Sequence, residues 1–241
     1  MTDCATELFV VAFGSFAAAT FAAIFGIGAG IIIVLLLSFW LPLQTVVPLM
    51  AASTLAIDSV RAWTFRKNTD WRIALPFLAG AALGVAVGSR VFFSVPEDVL
   101  GIVIGVLMLS TLWLPTPDLD VKGSYPFVAV GIAHAFASAI FAFGGLLQAA
   151  VAKLTREREN VIAILATCFA GMNMMKVIGY SVFGFDFSPY LVWVLAIALG
   201  AIPGTLLGRR MGRALTGRRF NVIFKLIVTA FAVHLIFQSQ S

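Results

Sequence analysis

The chain has 241 residues, of which 61% are hydrophobic and 11% are charged, and its mean hydropathy is +1.04. Soluble domains carry about 25% charged residues, so this composition excludes a water-soluble globular protein and indicates a polytopic membrane protein. The net charge of +5 does not indicate nucleic-acid binding, because the basic residues cluster in short loops between apolar runs, which is the positive-inside pattern.

Ten apolar segments are predicted as helices. The N-terminus, MTDCATELFVV, has no Lys or Arg and so lacks the basic start of a secretory signal peptide; we interpret the first segment as a retained helix. The segments cover residues 8–25, 29–41, 45–63, 73–93, 98–114, 125–142, 144–153, 160–182, 189–208 and 220–237. The second and the seventh are shorter than the about 17–25 residues that cross a bilayer, and each follows a glycine cluster.

Glycine breaks precede both short segments. The stretch FGIGAGI contains Gly26, Gly28 and Gly30, and the stretch FAFGGLL contains Gly144 and Gly145. A broken backbone inside hydrocarbon is tolerated only where protein or a water-filled cavity satisfies its polar groups, and the N–H groups of a new helix start attract anions. The pattern predicts two helix ends near the membrane midplane that contribute to a binding site; close helix packing without a ligand is the alternative.

The two halves of the chain resemble each other. LAGAALGVAVGSR at 78–90 aligns with LGAIPGTLLGRR at 199–210, with an offset of 120 residues. The aligned glycines are Gly80, Gly84 and Gly88 with Gly200, Gly204 and Gly208. Upstream, VAFGSF aligns with VAVGIA and places Gly14 on Gly131, with an offset of 117. The chain therefore reads as a duplicated five-segment unit, residues 1–118 and 119–241. The four-residue glycine spacing favours close helix packing.

Loop charges predict that the two units have opposite orientations. The loop RAWTFRKNTDWR after the third segment is strongly basic, whereas its counterpart FGFDFS carries only Asp186. The first is predicted to be cytoplasmic and the second to be outside, with both termini in the periplasm. The predicted fold is an all-α polytopic membrane protein with two inverted-topology five-segment repeats and glycine-broken or re-entrant short helices. Whether segments two and seven cross or re-enter stays open.

Charged residues inside the predicted spans are candidates for function. Lys176 lies in the eighth segment with Asn173 three residues before it, and Asp58 and Arg61 lie near the corresponding place in the third segment. In a functional interpretation, Lys176 attracts an anion and Asp58 titrates or pairs during transport. In the alternative, Lys176 and Arg61 extend to opposite membrane interfaces, and Asp58 pairs with Arg61.

Neutral polar residues are weaker candidates. Ser53, Thr54 and Thr167 lie near the starts of segments three and eight, and Gln148 follows the second glycine break. Each hydroxyl could instead bond to its own helix backbone. The cysteines, Cys4 and Cys168, and the histidines, His134 and His234, are isolated, so we expect no metal site and no cofactor and interpret the histidines as packing or interfacial residues.

Three stretches resemble the TauE/SafE family, the sulfite and organosulfur exporter group. They are FGIGAGIIIVLLL, the run AASTLAIDSVRAWTFRKNTDWRIALPFLAGAALGVAVGSR, and its degenerate second copy from LATCFAGMNMMKVIGYSVFGFDFS to LGAIPGTLLGRR. The resemblance covers nearly the whole chain. It implies transport of small sulfur-containing anions, such as sulfite, sulfoacetate or related sulfonates, outward across the bacterial inner membrane.

The leading functional prediction is therefore a secondary transporter for such anions, with the alternative of an anion channel built from paired half-helices. No nucleotide-binding loop and no protease or serine–histidine motif is visible, so we do not expect an enzyme or a directly ATP-driven pump. Asp58 is the carboxylate nominated for proton coupling. The expected partners are the anionic substrate and the lipid bilayer, with no nucleic acid, and a homo-oligomer is compatible with the sequence.

Overall fold

The computed structural model describes residues 4–25, 29–113, 123–141, 146–155 and 157–211, together with the single positions Thr229 and Val233. Within these ranges the chain is helical and contains no strand. The helices are α1 Cys4–Phe25, α2 Ala29–Leu37, α3 Leu43–Phe65, α4 Trp71–Ser94, α5 Glu97–Trp113, α6 Pro126–Phe141, α7 Leu146–Leu154, α8 Arg158–Val182 and α9 Leu191–Met211. Short 3-10 turns at Arg66–Asn68 and Ser188–Tyr190 precede α4 and α9.

Five of the described helical stretches are long and apolar enough to cross a bilayer. They are Thr6–Ile24, Leu43–Asn68, Trp71–Ser94, Arg158–Val182 and Ser188–Met211. Because lipid offers no hydrogen bonds to the backbone, apolar runs of this length form helices that satisfy their own N–H and C=O groups. An all-helical, multi-pass membrane protein is thereby confirmed in outline.

The short predicted segments are short in the structure as well. The helices α2 and α7 have nine residues each, or about 14 Å at 1.5 Å per residue, against a hydrocarbon core of about 30 Å. Gly30 lies in the first turn of α2. Gly26, Gly28, Gly144 and Gly145 lie outside the described residues, as does nearly all of the tenth predicted segment.

Glycine ladders bring two pairs of helices into close contact. On α4, a Cβ added to Gly80 or Gly84 would overlap the carbonyl oxygen of Val128 or Ile132 on α6. On α9, a Cβ at Gly204 would overlap the carbonyl oxygen of Phe16 on α1. The absence of a side chain lets the two backbones approach each other. The predicted packing role of both ladders is confirmed.

The two ladder interfaces correspond residue by residue. The residues of α6 that contact the α4 ladder are Val128, Ile132 and Phe136. The residues of α1 that contact the α9 ladder are Ala12, Phe16 and Thr20, each 116 positions earlier in the chain.

The contacts shift the predicted register of α1 by one residue. Gly131 packs against the carbonyl of Phe77, and the repeat-related carbonyl of Ile197 instead accepts a 2.6 Å hydrogen bond from the Ser15 hydroxyl. Gly131 therefore corresponds to Ser15 rather than to Gly14.

Two hydrophobic clusters show how the halves interlock. One is built mainly from α1, α2, α3 and α9, and the other from α4, α6, α7 and α8. The fourth helix of each half thus packs into the other half. The contact between α3 and α8 joins a helix of the first cluster to a helix of the second.

Helix directions follow from the order of the contacts. Along both ladders the contact positions rise together, so α4 runs parallel to α6, and α1 runs parallel to α9. The helix α8 runs parallel to α4, because Gly171 meets Leu78 and Gly179 meets Ser89.

Two more pairs complete the set of directions. Asn68 bonds Asn160 and Asp58 bonds Asn173, so α3 is antiparallel to α8. The rings of Trp40 and Trp193 meet just before α3 and at the start of α9, and Arg209 near the end of α9 lies over Phe65 at the end of α3. Consequently α1, α3 and α9 run one way, and α4, α6 and α8 run the other. The short helix α2 thus lies in the sequence between two parallel helices, α1 and α3, and α7 lies likewise between α6 and α8.

Candidate functional site

Polar side chains are buried where α8 contacts α3 and α6. We call six of them the central polar cluster: Asp58 and Arg61 on α3, His134 and Ser138 on α6, and Asn173 and Lys176 on α8. All six are at most 5% exposed, in a bundle whose other contacts are mostly aliphatic or aromatic. Buried polar groups need partners, so the geometry of this cluster decides what it can bind.

The carboxylate of Asp58 links the two halves of the chain. Its Oδ1 accepts a hydrogen bond from Arg61 Nη1 at 2.7 Å, one helical turn further along α3. Its Oδ2 accepts from the Asn173 amide on α8 at 3.3 Å. A buried carboxylate is stable only when paired and hydrogen-bonded, and here one oxygen is held by each helix.

Lys176 is buried without an ion-pair partner in the described part of the chain. Its side chain is 0% exposed, and its Nζ donates to the hydroxyl of Ser138 at 3.3 Å. Within the described ranges no carboxylate oxygen lies within 4.0 Å of this ammonium; the buried salt bridge there joins Asp58 and Arg61. A neutral hydroxyl compensates a buried charge much less than a carboxylate does.

His134 holds the start of the short helix α7. Its Nδ1 accepts a hydrogen bond from the backbone N–H of Leu147 at 3.3 Å, so Nδ1 carries no proton in this arrangement. The ring stacks on Phe169 and meets the edge of Phe77, which fixes its orientation. Because His134 lies midway along α6, the N-terminus of α7 begins inside the bundle, one turn of α6 away from Ser138.

The interfacial alternative for Arg61 and Lys176 is wrong. Both side chains are covered by protein, at 1% and 0% exposure. The predicted Asp58–Arg61 pair is confirmed, but it forms inside the bundle rather than at a membrane interface. The antiparallel crossing of α3 and α8 explains this, because it turns the faces that carry these residues toward each other.

The neutral residues predicted for the site are not all together. The Thr54 hydroxyl bonds the Met50 carbonyl of its own helix at 2.6 Å, and Thr167 bonds Thr69 in the α3–α4 connection. Ser53 is buried, and its hydroxyl has no partner within the described residues. Gln148 lies half-buried in the first turn of α7.

His134 and Ser138 were not predicted as site residues from the sequence. They lie four residues apart and thus on one face of α6, and the register of the ladder contacts places Ala18 and Ala22 at the repeat-related positions of α1. At these equivalent positions one half has polar residues and the other half has alanines, and this contrast could have identified the two residues. The alignment of α1 with α6 from the sequence was shifted by one residue, so the contrast did not show.

The arrangement is suited to an anion. Two cationic side chains and one carboxylate meet in the cluster, and the N-terminal end of a helix adds partial positive charge beside them. No group of three or more His, Cys, Asp or Glu residues that could hold a metal ion occurs in the described ranges.

Comparisons with known proteins identify the family of this chain. No curated protein and no solved structure matches the chain. The sequence model of one family, described as Sulfite exporter TauE/SafE, matches residues 11–235, from α1 to beyond α9. This match spans most of the 241 residues and agrees with a multi-pass membrane protein that acts as a transporter. The chain belongs to the TauE/SafE family of membrane sulfite exporters.

Proposed function

We propose that the protein is a secondary transporter that exports small sulfur-containing anions, such as sulfite, sulfoacetate or related sulfonates, across the bacterial inner membrane. The observation that carries this proposal is Lys176, a buried ammonium whose partner among the described side chains is the hydroxyl of Ser138. Burying an ammonium costs several kcal/mol of solvation free energy even after relaxation. An anion that enters the cluster would offset that cost.

The substrate site extends from Lys176 toward the two glycine breaks. Asn173 and the unpartnered hydroxyl of Ser53 supply hydrogen-bond donors, and Thr54 and Thr167 contribute less because their hydroxyls are engaged elsewhere. Gln148, in the first turn of α7, and the glycines predicted from the two breaks, Gly144, Gly145, Gly26, Gly28 and Gly30, are assigned to the same site in this proposal. Freed N–H groups at such helix starts bind anionic solutes in other transporters.

The two halves act as inverted repeats in this proposal. The direction of α1 is opposite to that of α6, the direction of α3 is opposite to that of α8, and the direction of α4 is opposite to that of α9, which supports the assignment. Inverted halves can exchange conformations, so that a site between them opens alternately to each side of the membrane. The basic loop at Arg66 and Lys67 then lies in the cytoplasm, and both termini lie in the periplasm.

Asp58 is the proton-coupling residue of this scheme. Its carboxylate receives one hydrogen bond from its own helix and one from Asn173 of the other half. A conformational change that separates α3 from α8 would break the second bond and leave the carboxylate to take up a proton. Proton movement and substrate movement would then both depend on the contact between α3 and α8.

Reconstituted vesicles test the proposal. We expect purified protein in proteoliposomes to exchange sulfite or a sulfonate with saturation and with counterflow, because a carrier must return its site across the membrane. A thermal-denaturation screen with sulfite, sulfate, thiosulfate, taurine, isethionate and sulfoacetate should show stabilisation by at least one of these solutes. Flux that neither saturates nor shows counterflow would indicate a channel, and no response to any of them would refute the proposal.

A further inference from the structure

With Asp58, Arg61 and Lys176 ionised, the charges of the central polar cluster sum to one positive charge. On α3, Asp58 and Arg61 form an ion pair that is neutral as a unit. On α8, Asn173 and Lys176 repeat the same three-residue spacing, but an amide stands where α3 has the acid. Lys176 therefore adds a charge that the described side chains do not neutralise.

The other described groups that face the cluster are uncharged. His134 on α6 accepts the N–H of Leu147 through Nδ1, and a proton on that nitrogen would set donor against donor. Ser138 on α6 and Ser89 on α4 contribute hydroxyls, and Ser89 lies beside Gly179, one turn after Lys176. The balance within the described elements thus rests on one carboxylate and two cations.

Net charge dominates binding at such a depth. Coulomb energies rise as the effective dielectric constant falls, and a residual buried charge costs far more than a neutral complex. A solute with one negative charge leaves the occupied cluster neutral. A dianion leaves one excess negative charge, and a zwitterion leaves the excess positive charge in place.

We propose that the site selects solutes that carry a single net negative charge, with the Asp58 carboxylate setting that value. The inference rests on the proposed function, in that it takes the Lys176 region as the anion site. It narrows the substrate class from sulfur anions in general to monoanions, such as hydrogen sulfite and sulfonates without a second acidic group.

Three sulfonates of similar size test this selection at pH 7.5. Isethionate, sulfoacetate and taurine share a two-carbon skeleton, but they carry one negative charge, two negative charges and no net charge, respectively. We expect isethionate to bind at least tenfold more tightly than either of the others, as measured by competition for counterflow and by anion-dependent thermal stabilisation. Equal or tighter binding of sulfoacetate would overturn the inference while leaving the proposed function intact. No response to any sulfur anion would overturn both.

Two nearly isosteric substitutions change the charge balance in opposite directions. Asp58→Asn raises the net charge to two, and we expect the ratio of sulfoacetate to isethionate affinity to rise at least tenfold. Asn173→Asp lowers the net charge to zero, and isethionate affinity should fall at least tenfold. Asp186→Asn, in an exposed loop, is the matched control and should leave the ranking unchanged.

An unchanged ranking in both cluster variants would contradict the role of Asp58. If Asp58→Asn does not fold, the wild-type ranking and Asn173→Asp still decide the question.

Discussion

The two halves of the chain present matching residues at the ladder interfaces but different residues at the α3–α8 contact. At the ladders, Gly84 lies on the carbonyl of Ile132 and Gly204 lies on the carbonyl of Phe16, in equivalent positions. At the α3–α8 contact, one half presents the pair Asp58–Arg61, whereas the other presents Asn173 and Lys176.

The difference follows from what each interface tolerates. At the ladders, any Cβ would overlap a backbone carbonyl, so both halves require glycine there. At the α3–α8 contact, side chains fill the space between the helices, and acid can be exchanged for amide without a steric change. The two halves are therefore alike in their ladder packing and different in their charges. That asymmetry leaves Lys176 as a buried cation without a carboxylate partner among the described residues.

The largest expected effect is that of Arg61→Met. This change leaves the Asp58 carboxylate buried without its cation, which should lower the free energy of unfolding by about 3–5 kcal/mol. Reversible unfolding in mixed micelles measures it. The double variant with Asp58→Asn should recover part of the loss, because no buried charge is then orphaned. If Arg61→Met lowers the free energy of unfolding no more than Lys176→Met does, the distinction between the paired Arg61 and Lys176 is contradicted.

Lys176→Met should separate binding from stability. Removing an ammonium that has no carboxylate partner among the described residues should raise the free energy of unfolding, because the cost of burying that charge is removed, but it should abolish stabilisation by sulfite or isethionate. Loss of a charge-assisted contact of about 1.5–3 kcal/mol corresponds to roughly 10- to 100-fold weaker binding. Lys67→Met, which removes an exposed lysine, is the matched control in the same thermal-shift titration. Unchanged stabilisation by the anions would exclude Lys176 from the site.

The ladders should respond alike in both halves. Gly84→Ala and Gly204→Ala each force a methyl group against a carbonyl oxygen, and each should cost about 1–3 kcal/mol. Gly14→Ala is the matched control, because its nearest neighbours are the end atoms of the Leu36 side chain, which can move aside. Unfolding midpoints of the three variants provide the comparison. A large cost in one ladder with none in the other would refute their equivalence.

The smallest effect belongs to Thr54→Val. The Thr54 hydroxyl bonds a carbonyl of its own helix, and valine keeps the shape of the side chain. We expect stability within about 0.5 kcal/mol of the wild type and unchanged anion affinity. Fluorescence-detected unfolding and the same anion titration are sufficient. A tenfold loss of affinity would show that Thr54 contacts the substrate.

Much of the architecture was readable from the sequence. Long apolar runs predicted the membrane helices, the glycine spacing of four predicted the ladders, and the family resemblance predicted the family that the match over 11–235 confirms. Lys176, Asn173 and Asp58 were nominated because ionisable and amide groups are rare inside apolar spans. These signals are properties of a single helix or stretch, so they can be recognised without knowing which helices pack beside it.

The rest depended on contacts between distant helices. A helix turns by about 100° per residue, so the one-residue difference between Gly14 and Ser15 as the partner of Gly131 redirects every side chain of α1. Composition and spacing determined a helical membrane protein with ionisable residues inside its apolar spans. Only the antiparallel crossing of α3 and α8, stabilised by burial along the ladders, decided that Asp58 bonds Asn173 and that Lys176 meets Ser138. Such pairings depend on the rotation and depth of whole helices, which no local pattern encodes.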